Sequence, residues 1–471
     1  MKKINIFILA IFILIGLTKC EKFLVEKPVS TANPDLVLQS VQGFDAVLIG
    51  AYLPFTGWGS LFSWDVFKLN ESLVDFQYAA YDPAVSNGNI LSTDWTVHFT
   101  WINLYKIVGS ANIVISNLDK LKNDPNQGRF EGEAKFLRAW AYFNLVQFFG
   151  DVPLVLEPVK DPSTFEPPRS PQADVYNQIV KDLMDAETKM TDIGPQPSRV
   201  NKWIAKAYLS KVFLTMAGNP NKILTYSGSS TYSLALIKAK EVISSNKYTI
   251  NISYQKVFDT NGDPESIWEF KCPDLPYFNH FTFLSQGIFT PEQSFIKCFD
   301  ANDVRGPAWG INTSYILNGQ TYIFPLPTYM KFVDQVKDAS GQQYQSTRSI
   351  KIIRLAEIYL IAAEAENEVN NGPSQDAYKW INVVRERAGI NDLNGLNKQS
   401  FRDAIFIERR KELYGEGSSW FDLKRFNKFD LLKTTGRTFV GPIDSHLNYF
   451  PIFINEIDNN PNVKQNPGWP G

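Results

Sequence analysis

The chain has 471 residues, with 47 Lys and Arg against 49 Asp and Glu and a formal net charge of −2. That balance supplies no basic field to neutralise phosphates, so nucleic acid is set aside as a partner. Aromatic residues make up 14% of the chain, and many stand in stretches that read as loops, where a plain core would not need them; that distribution points to a ligand.

Lys2 and Lys3 precede an apolar run from Ile6 to Leu17. The run has the length of a signal-peptide apolar region and is too short for a spanning helix of about 20 residues. Residues 1–19 are therefore expected to be an export signal. Leu17-Thr18-Lys19-Cys20 reads as a lipobox, with Cys20 the lipidated first residue of the mature chain, although Lys19 stands where a small residue is usual. An ordinary cleaved signal with an incidental cysteine is the alternative. Residues 20–471 are expected to form a single domain. Beyond Cys20 only Cys272 and Cys298 remain; outside the cytoplasm two cysteines can pair, and two free buried thiols are the competing reading. No CxxC or Cys/His cluster offers a metal site, and no cofactor is expected.

From Asn33 to Tyr52 the apolar residues Leu36, Val37, Val41, Phe44, Val47 and Leu48 fall on one side of a helix. The pattern breaks over about 54–93, where Pro54, Gly57, Gly59, Pro83 and Gly88 punctuate a run holding Trp58, Phe62, Trp64, Phe76, Tyr78 and Tyr81. An aromatic-rich irregular segment of this length is usually functional. Helical spacing resumes through Trp101, Leu104, Ile107, Val108, Ala111 and Val114. The stretch Phe130–Pro158 places Ala134, Leu137, Ala141, Leu145 and Phe148 three and four apart, a buried amphipathic helix that Gly150 caps and Pro153 closes.

Further helices are expected near Pro171–Met190, Asn201–Met216 and Ser233–Ser245. Ala141-Tyr142 and Ala207-Tyr208 lie about two lengths of a 34-residue tetratricopeptide repeat apart. Ile353–Asn370 and Ser374–Ala388 have the same helix-turn-helix form. These features predict an all-α dominated fold of tetratricopeptide-like helix pairs. Between them, at about 250–348, periodicity is lost again; Pro264, Pro273, Pro276, Pro291, Pro307, Pro325 and Pro327 divide a second irregular insert that holds Tyr277, Phe278, Phe281, Phe283, Phe289, Trp309, Tyr315 and Tyr322.

Catalysis finds no positive support. Glu408, Glu412 and Glu416 are side by side on one helix surface, so they cannot flank a glycosidic bond as two hydrolytic carboxylates must; they read as solvated or ion-paired helix charges. Asp300 and Asp303 read as turn-ordering residues. His98, His280 and His446 form no HExxH, and no G-x-S-x-G elbow is present.

Several runs carry a common resemblance. E-A-K-F-L-R-A followed by a Tyr and F-F-G-D-V-P-L-V, the W-x-x-x-Y and A-N-I-V-I of the preceding helix, and E-S-I-W-E-F and D-V-R in the second insert are similar to landmarks of the SusD/RagB family. So are R-L-A-E-I-Y-L-I-A-A-E-A-E, I-E-R-R-K-E-L-Y-G-E-G-S-S-W-F-D-L-K-R and the ending N-E-I-D-N-N-P-N-V-K-Q-N-P-G-W. The E-K-F-L after Cys20 matches the family's mature start. Ser418 and Ser419 depart from a His-Arg pair common there, as Phe453 and Trp469 do from Pro and Tyr. The resemblance implies a SusD-like α/α superhelix and an outer-membrane, surface-exposed lipoprotein that binds a nutrient glycan. It also implies a partner, a SusC-like TonB-dependent transporter over which the protein sits as a lid.

A sugar offers an apolar face and a rim of hydroxyls, so its site wants flat aromatic rings beside amide and carboxylate groups. The expected ligand residues are Trp58, Trp64, Tyr78, Tyr81 and Asn87 from the first insert, and Tyr277, Phe278, Asn279, Phe289 and Trp309 from the second. The resemblance places both inserts on one face, with Tyr81 and Tyr277 as leading platforms. A peptide-binding receptor of the same type, or an adhesion lipoprotein holding protein on its helical repeats, is the competing reading.

Overall fold

Apolar residues recurring at spacings of three and four, with few breakers between them, give helices wherever that pattern holds. The computed structural model describes residues 37–56, 59–62, 68–78, 83–219, 224–270, 289–341, 348–439, 443 and 445–470. Within them the scaffold helices are α1 (Val41–Tyr52), α2 (Trp95–Ile115), α3 (Gln127–Phe149), α4 (Gln172–Lys189), α5 (Lys202–Ala217), α6 (Thr231–Ser244), α7 (Leu355–Val369), α8 (Gln375–Arg387), α9 (Lys398–Leu413) and α10 (Ser419–Arg425). The Ser40 hydroxyl accepts from the Gly43 amide at the head of α1, and Asn201, Ser374 and Asn397 cap α5, α8 and α9 in the same way. Each cap satisfies amide groups that a helix start leaves unpaired. Of the helix expected from Asn33, the part before Val37 lies outside the described residues.

α3 is the centre of the scaffold. The expected apolar face is buried, but Phe136, Trp140, Phe143, Val146 and Phe149 are buried as well, so the helix is enclosed on all sides rather than amphipathic. Its polar side chains consequently need partners inside the protein. Arg138 grips Asp182 of α4 through Nε and Nη2 at 2.8 and 2.9 Å, and its Nη1 reaches Asn112 of α2 at 2.9 Å. Glu133 accepts from Tyr52 of α1 and from Arg199 ahead of α5. The helix ends at Gly150, where φ is +74° and the amide donates to the Val146 carbonyl.

From α1 to α6 each helix packs on its neighbour in the chain, and α6 then meets α7, which carries α8 and α9. This neighbour-on-neighbour order is a superhelix of stacked helix pairs, all-α dominated as expected. Because α6 and α7 touch, the whole second insert leaves and rejoins the scaffold at adjacent points.

The inserts are less irregular than the sequence reading had them. E-S-I-W-E-F forms strand β4 (Ser266–Phe270), antiparallel to β8 (Ile350–Arg354). β6 (Ile311–Leu317) and β7 (Gln320–Tyr329) make a hairpin whose two-residue turn is Asn318-Gly319, with φ of +53° and +79°. Both turn residues have positive φ, as a type I′ turn requires, so the Asn-Gly pair was a legible hairpin signal that proline counting masked. Pro325 and Pro327 are tolerated because β7 has only one paired edge in a two-stranded sheet. Short pairings also join β2 (Val152–Pro153) to β3 (Arg169–Ser170) and β1 (Phe76–Tyr78) to β5 (Phe289–Pro291).

Candidate glycan-binding face

The described part of the first insert is fixed to the far end of the chain by buried charge. Glu71 is fully buried, and its carboxylate accepts from the amides of Gly415 and Gly417 at 3.0 and 2.9 Å and from the Ser419 hydroxyl. Burial pushes this carboxyl up to about 7, against the pull of the Ser419 and Gly415 donors. Ser419, one of the two serines that depart from the family's His-Arg pair, therefore serves as a hydroxyl clamp on the insert. Asp75 pairs with Arg410 at 2.5 Å. Arg437 donates to the carbonyls of Ser72, Leu73 and Ser86 at 2.6, 3.0 and 2.6 Å.

The second insert is anchored by the D-V-R landmark. Asp303 and Arg305 are fully buried, and Asp303 takes the Arg305 Nε and Nη2 at 2.9 and 2.8 Å. Arg305 Nη1 also bonds Glu408 of α9. Asp303 thus orders a turn, and it does so by holding the arginine that ties the insert to the scaffold. Glu412 receives Arg354 and Arg387 at 2.9 and 2.6 Å, and Glu416 receives Arg354 and Lys331. Burial would raise the Glu412 carboxyl, but Arg387, Arg354 and Arg305 outweigh it and hold it well below the usual range. Lys331 is lowered to about 8 by burial, despite Glu416 at 2.8 Å. These glutamates are ion-paired, as the sequence allowed, but buried rather than solvated.

The two inserts meet through backbone. β1 and β5 run antiparallel with Phe76 opposite Pro291, Gln77 opposite Thr290 and Tyr78 opposite Phe289. Tyr78 leads into residues 79–82, and Phe289 follows residues 271–288. The chain ends that bracket Tyr81 on one side, and Tyr277, Phe278 and Asn279 on the other, are therefore adjacent.

Trp58, Trp64, Tyr81, Tyr277, Phe278 and Asn279 lie outside the described residues, as do Cys20 and Cys272. Tyr78 closes β1, and Asn87 is half-buried in the turn after residues 83–86. Phe289 is only 1% exposed and belongs to the main core, so its ring packs rather than offering a stacking face. Trp309 is half-buried, edge-on to Tyr254 at 6.0 Å, and fills the space between the two small apolar clusters of the second insert. Burial separates Phe289 from an exposed platform, a distinction that residue type alone does not carry. Many other aromatics also prove to be core: Trp268 of β4 is 1% exposed and lies within 5.5–6.2 Å of Phe55, Phe136, Trp140 and Tyr208. Cys298 is a free, half-buried thiol whose sulfur accepts from Arg410 at 3.2 Å.

A cavity of about 100 Å³ beneath the inserts, lined by Phe62, Trp140, Phe143, Lys211, Lys331 and Glu416 among others, is well below the ~300–1,000 Å³ of small-molecule pockets. Sequence reasoning missed Glu71, Asp75 and Arg437 as the residues that fix the insert. Charged residues inside an aromatic-rich stretch were the available signal, but their partners lie more than 300 positions away.

A profile of the SusD family matches residues 306–469, and one described as "Starch-binding associating with outer membrane" matches residues 22–214. The chain is 26% identical to SusD-like protein P25 of Formosa agariphila, over 98% of this chain and 97% of that protein. A SusD superfamily protein from Parabacteroides distasonis superposes with a TM-score of 0.78 at 22% identity, over 91% of this chain and 99% of that one. A structure described as a laminarin-binding SusD-like protein superposes with a TM-score of 0.73 at 23% identity, over 91% and 99%. With one profile on each half of the chain, the chain belongs to the SusD/RagB family, and the profile matched by its first half is described as starch-binding and associating with the outer membrane.

Proposed function

We propose that this protein captures an oligosaccharide on the face where its two aromatic-rich inserts meet and delivers it to a SusC-like TonB-dependent transporter in the outer membrane. The observation that carries the reading is the β1–β5 pairing, which joins the two aromatic-rich inserts through their backbones. Family membership and the laminarin-binding relative favour a glycan over a peptide. In this reading the mature chain is residues 20–471, one domain held to the membrane by acylated Cys20 and exposed at the cell surface. Tyr81 and Tyr277 are the leading ring platforms, flanked by Asn87 and Asn279.

Affinity-gel retardation against neutral glycans, followed by titration of the retained one, tests the site. Tyr81→Ala and Tyr277→Ala should each weaken binding by about tenfold or more, the loss of on the order of 1–2 kcal/mol of ring contact, with thermal stability unchanged. Full binding by both variants, or unfolding of both, places the site elsewhere. Indifference to every free oligosaccharide, with retention of a peptide or protein, favours a peptide receptor or an adhesion scaffold.

A further inference from the structure

A second concave surface lies on the scaffold, and none of the residues that line it comes from either insert. It is a groove of about 330 Å³ between α2, the 153–167 segment and the short helix Ile454–Asn459, within the size range of small-molecule sites. Trp101 and Tyr105 form its floor, their rings 5.1 Å apart. The Tyr105 hydroxyl donates to the Pro153 carbonyl at 2.9 Å, and Pro153 and Glu456 line the groove beside the two rings. Phe165 stands at the rim with 41% of its surface exposed. Glu157, whose carboxylate accepts from Ser116, and the exposed Asn459 supply polar groups at the edge.

Gly109 gives an independent indication. It sits inside the 21-residue helix α2 and lines the groove. Glycine inside a helix costs about 1 kcal/mol relative to alanine, and that cost usually reflects a close neighbour or an unusual backbone. Neither holds here: a Cβ at Gly109 would meet nothing within 4 Å. The missing side chain keeps open the space above the aromatic floor.

We propose that this groove is a second saccharide subsite, separate from the insert face, that takes one or two residues of a neutral glycan chain. Phe165 covers an apolar sugar face, and Glu157 and Asn459 take hydroxyls. Two carboxylates at the groove, Glu157 and Glu456, exclude uronic-acid and sulfated chains by like-charge repulsion. The proposal rests on the glycan-binding reading for the class of ligand but not for its position.

Calorimetric titration of the mature chain with laminarihexaose, maltohexaose and an acidic oligogalacturonate provides the test. The expected result is two molecules of a neutral hexasaccharide per chain and none of the acidic one. Gly109→Leu, which fills the groove, and Phe165→Ala, which removes only an exposed ring, should each abolish one of the two and leave the other at its wild-type affinity. Gly109→Ala should raise the unfolding midpoint. A single molecule per chain, unaffected by Gly109→Leu and Phe165→Ala but lost in Tyr81→Ala, overturns the groove and leaves the insert face standing. No binding of any neutral probe overturns both. Unchanged stoichiometry in Gly109→Leu together with loss of transporter co-purification assigns the groove to a protein contact and likewise overturns the proposal.

Discussion

Replacing Arg305 by Met isolates the energetics of the clamp that holds the second insert to the scaffold. The guanidinium is fully buried and serves three carboxylates. Two of them keep other partners when it is removed: Glu408 retains Arg385 at 2.8 Å, and Glu412 retains Arg354 and Arg387. Asp303 does not, being left with the amide of residue 305 at 3.0 Å and the Lys411 ammonium at 3.9 Å. Breaking a buried pair from one side costs about 3–5 kcal/mol, because the remaining charge is uncompensated. Arg305→Met should therefore lose about that much in urea unfolding followed by tryptophan fluorescence. Since most of the penalty resides on one carboxylate, Asp303→Asn in the same chain should restore more than half of it. A loss below about 1 kcal/mol in the single variant, or a double variant as unstable as the sum of the two singles, refutes the assignment of the cost to Asp303.

Phe289→Ala should lower stability by about 3–5 kcal/mol by opening a core cavity, measured by the same unfolding assay; an unchanged midpoint would return Phe289 to the list of exposed platforms. Lys424 is 4% exposed, bonds the carbonyls of Gln147 and Asn448 with no carboxylate paired to it among the described residues, and is lowered to about 7 by burial. The folded state then binds fewer protons than the unfolded chain between pH 7 and 10.5, so stability should rise with pH across that window by up to about 1.4 kcal/mol per unit. Lys424→Gln should remove that slope, and parallel pH profiles for variant and wild type would rule it out. Cys20→Ala should release the protein from membranes into the soluble fraction; a variant still membrane-bound, with no lipid on the wild type by mass spectrometry, would refute acylation there.

The scaffold was legible because its helices announce themselves locally. Ala134 to Phe148 repeat at helical spacing, Asn201 and Ser374 mark helix starts, and Gly150 marks an end, so α3, α5 and α8 fall within a few residues of where periodicity puts them. What periodicity hid was how completely α3 is enclosed, because burial of Glu133 and Arg138 depends on partners from α1, α4 and the Arg199 turn. The hairpin at Asn318-Gly319 was written in the sequence and lost among the prolines. For the candidate site the limit was different. Phe289 and Trp268 were as plausible by residue type as any aromatic of the inserts, and only the fold shows that both rings are packed in the core. The anchors of the first insert, Glu71 to Ser419 and Asp75 to Arg410, join positions that no local pattern connects.

The pairing of β1 with β5 uses main-chain groups, which every residue except proline supplies in the same form. Tyr78 and Phe289 hold register whatever stands beyond them, so the segments they bracket can be rewritten in length and side chain without moving their ends. If the proposed face is the binding site, selection can change what it recognises in two places at once while the paired strand ends are inherited unchanged. On the proposed reading, ligand choice and fold stability then fall to separate residues, the one to the spans beyond the strands and the other to the buried carboxylates and arginines behind them.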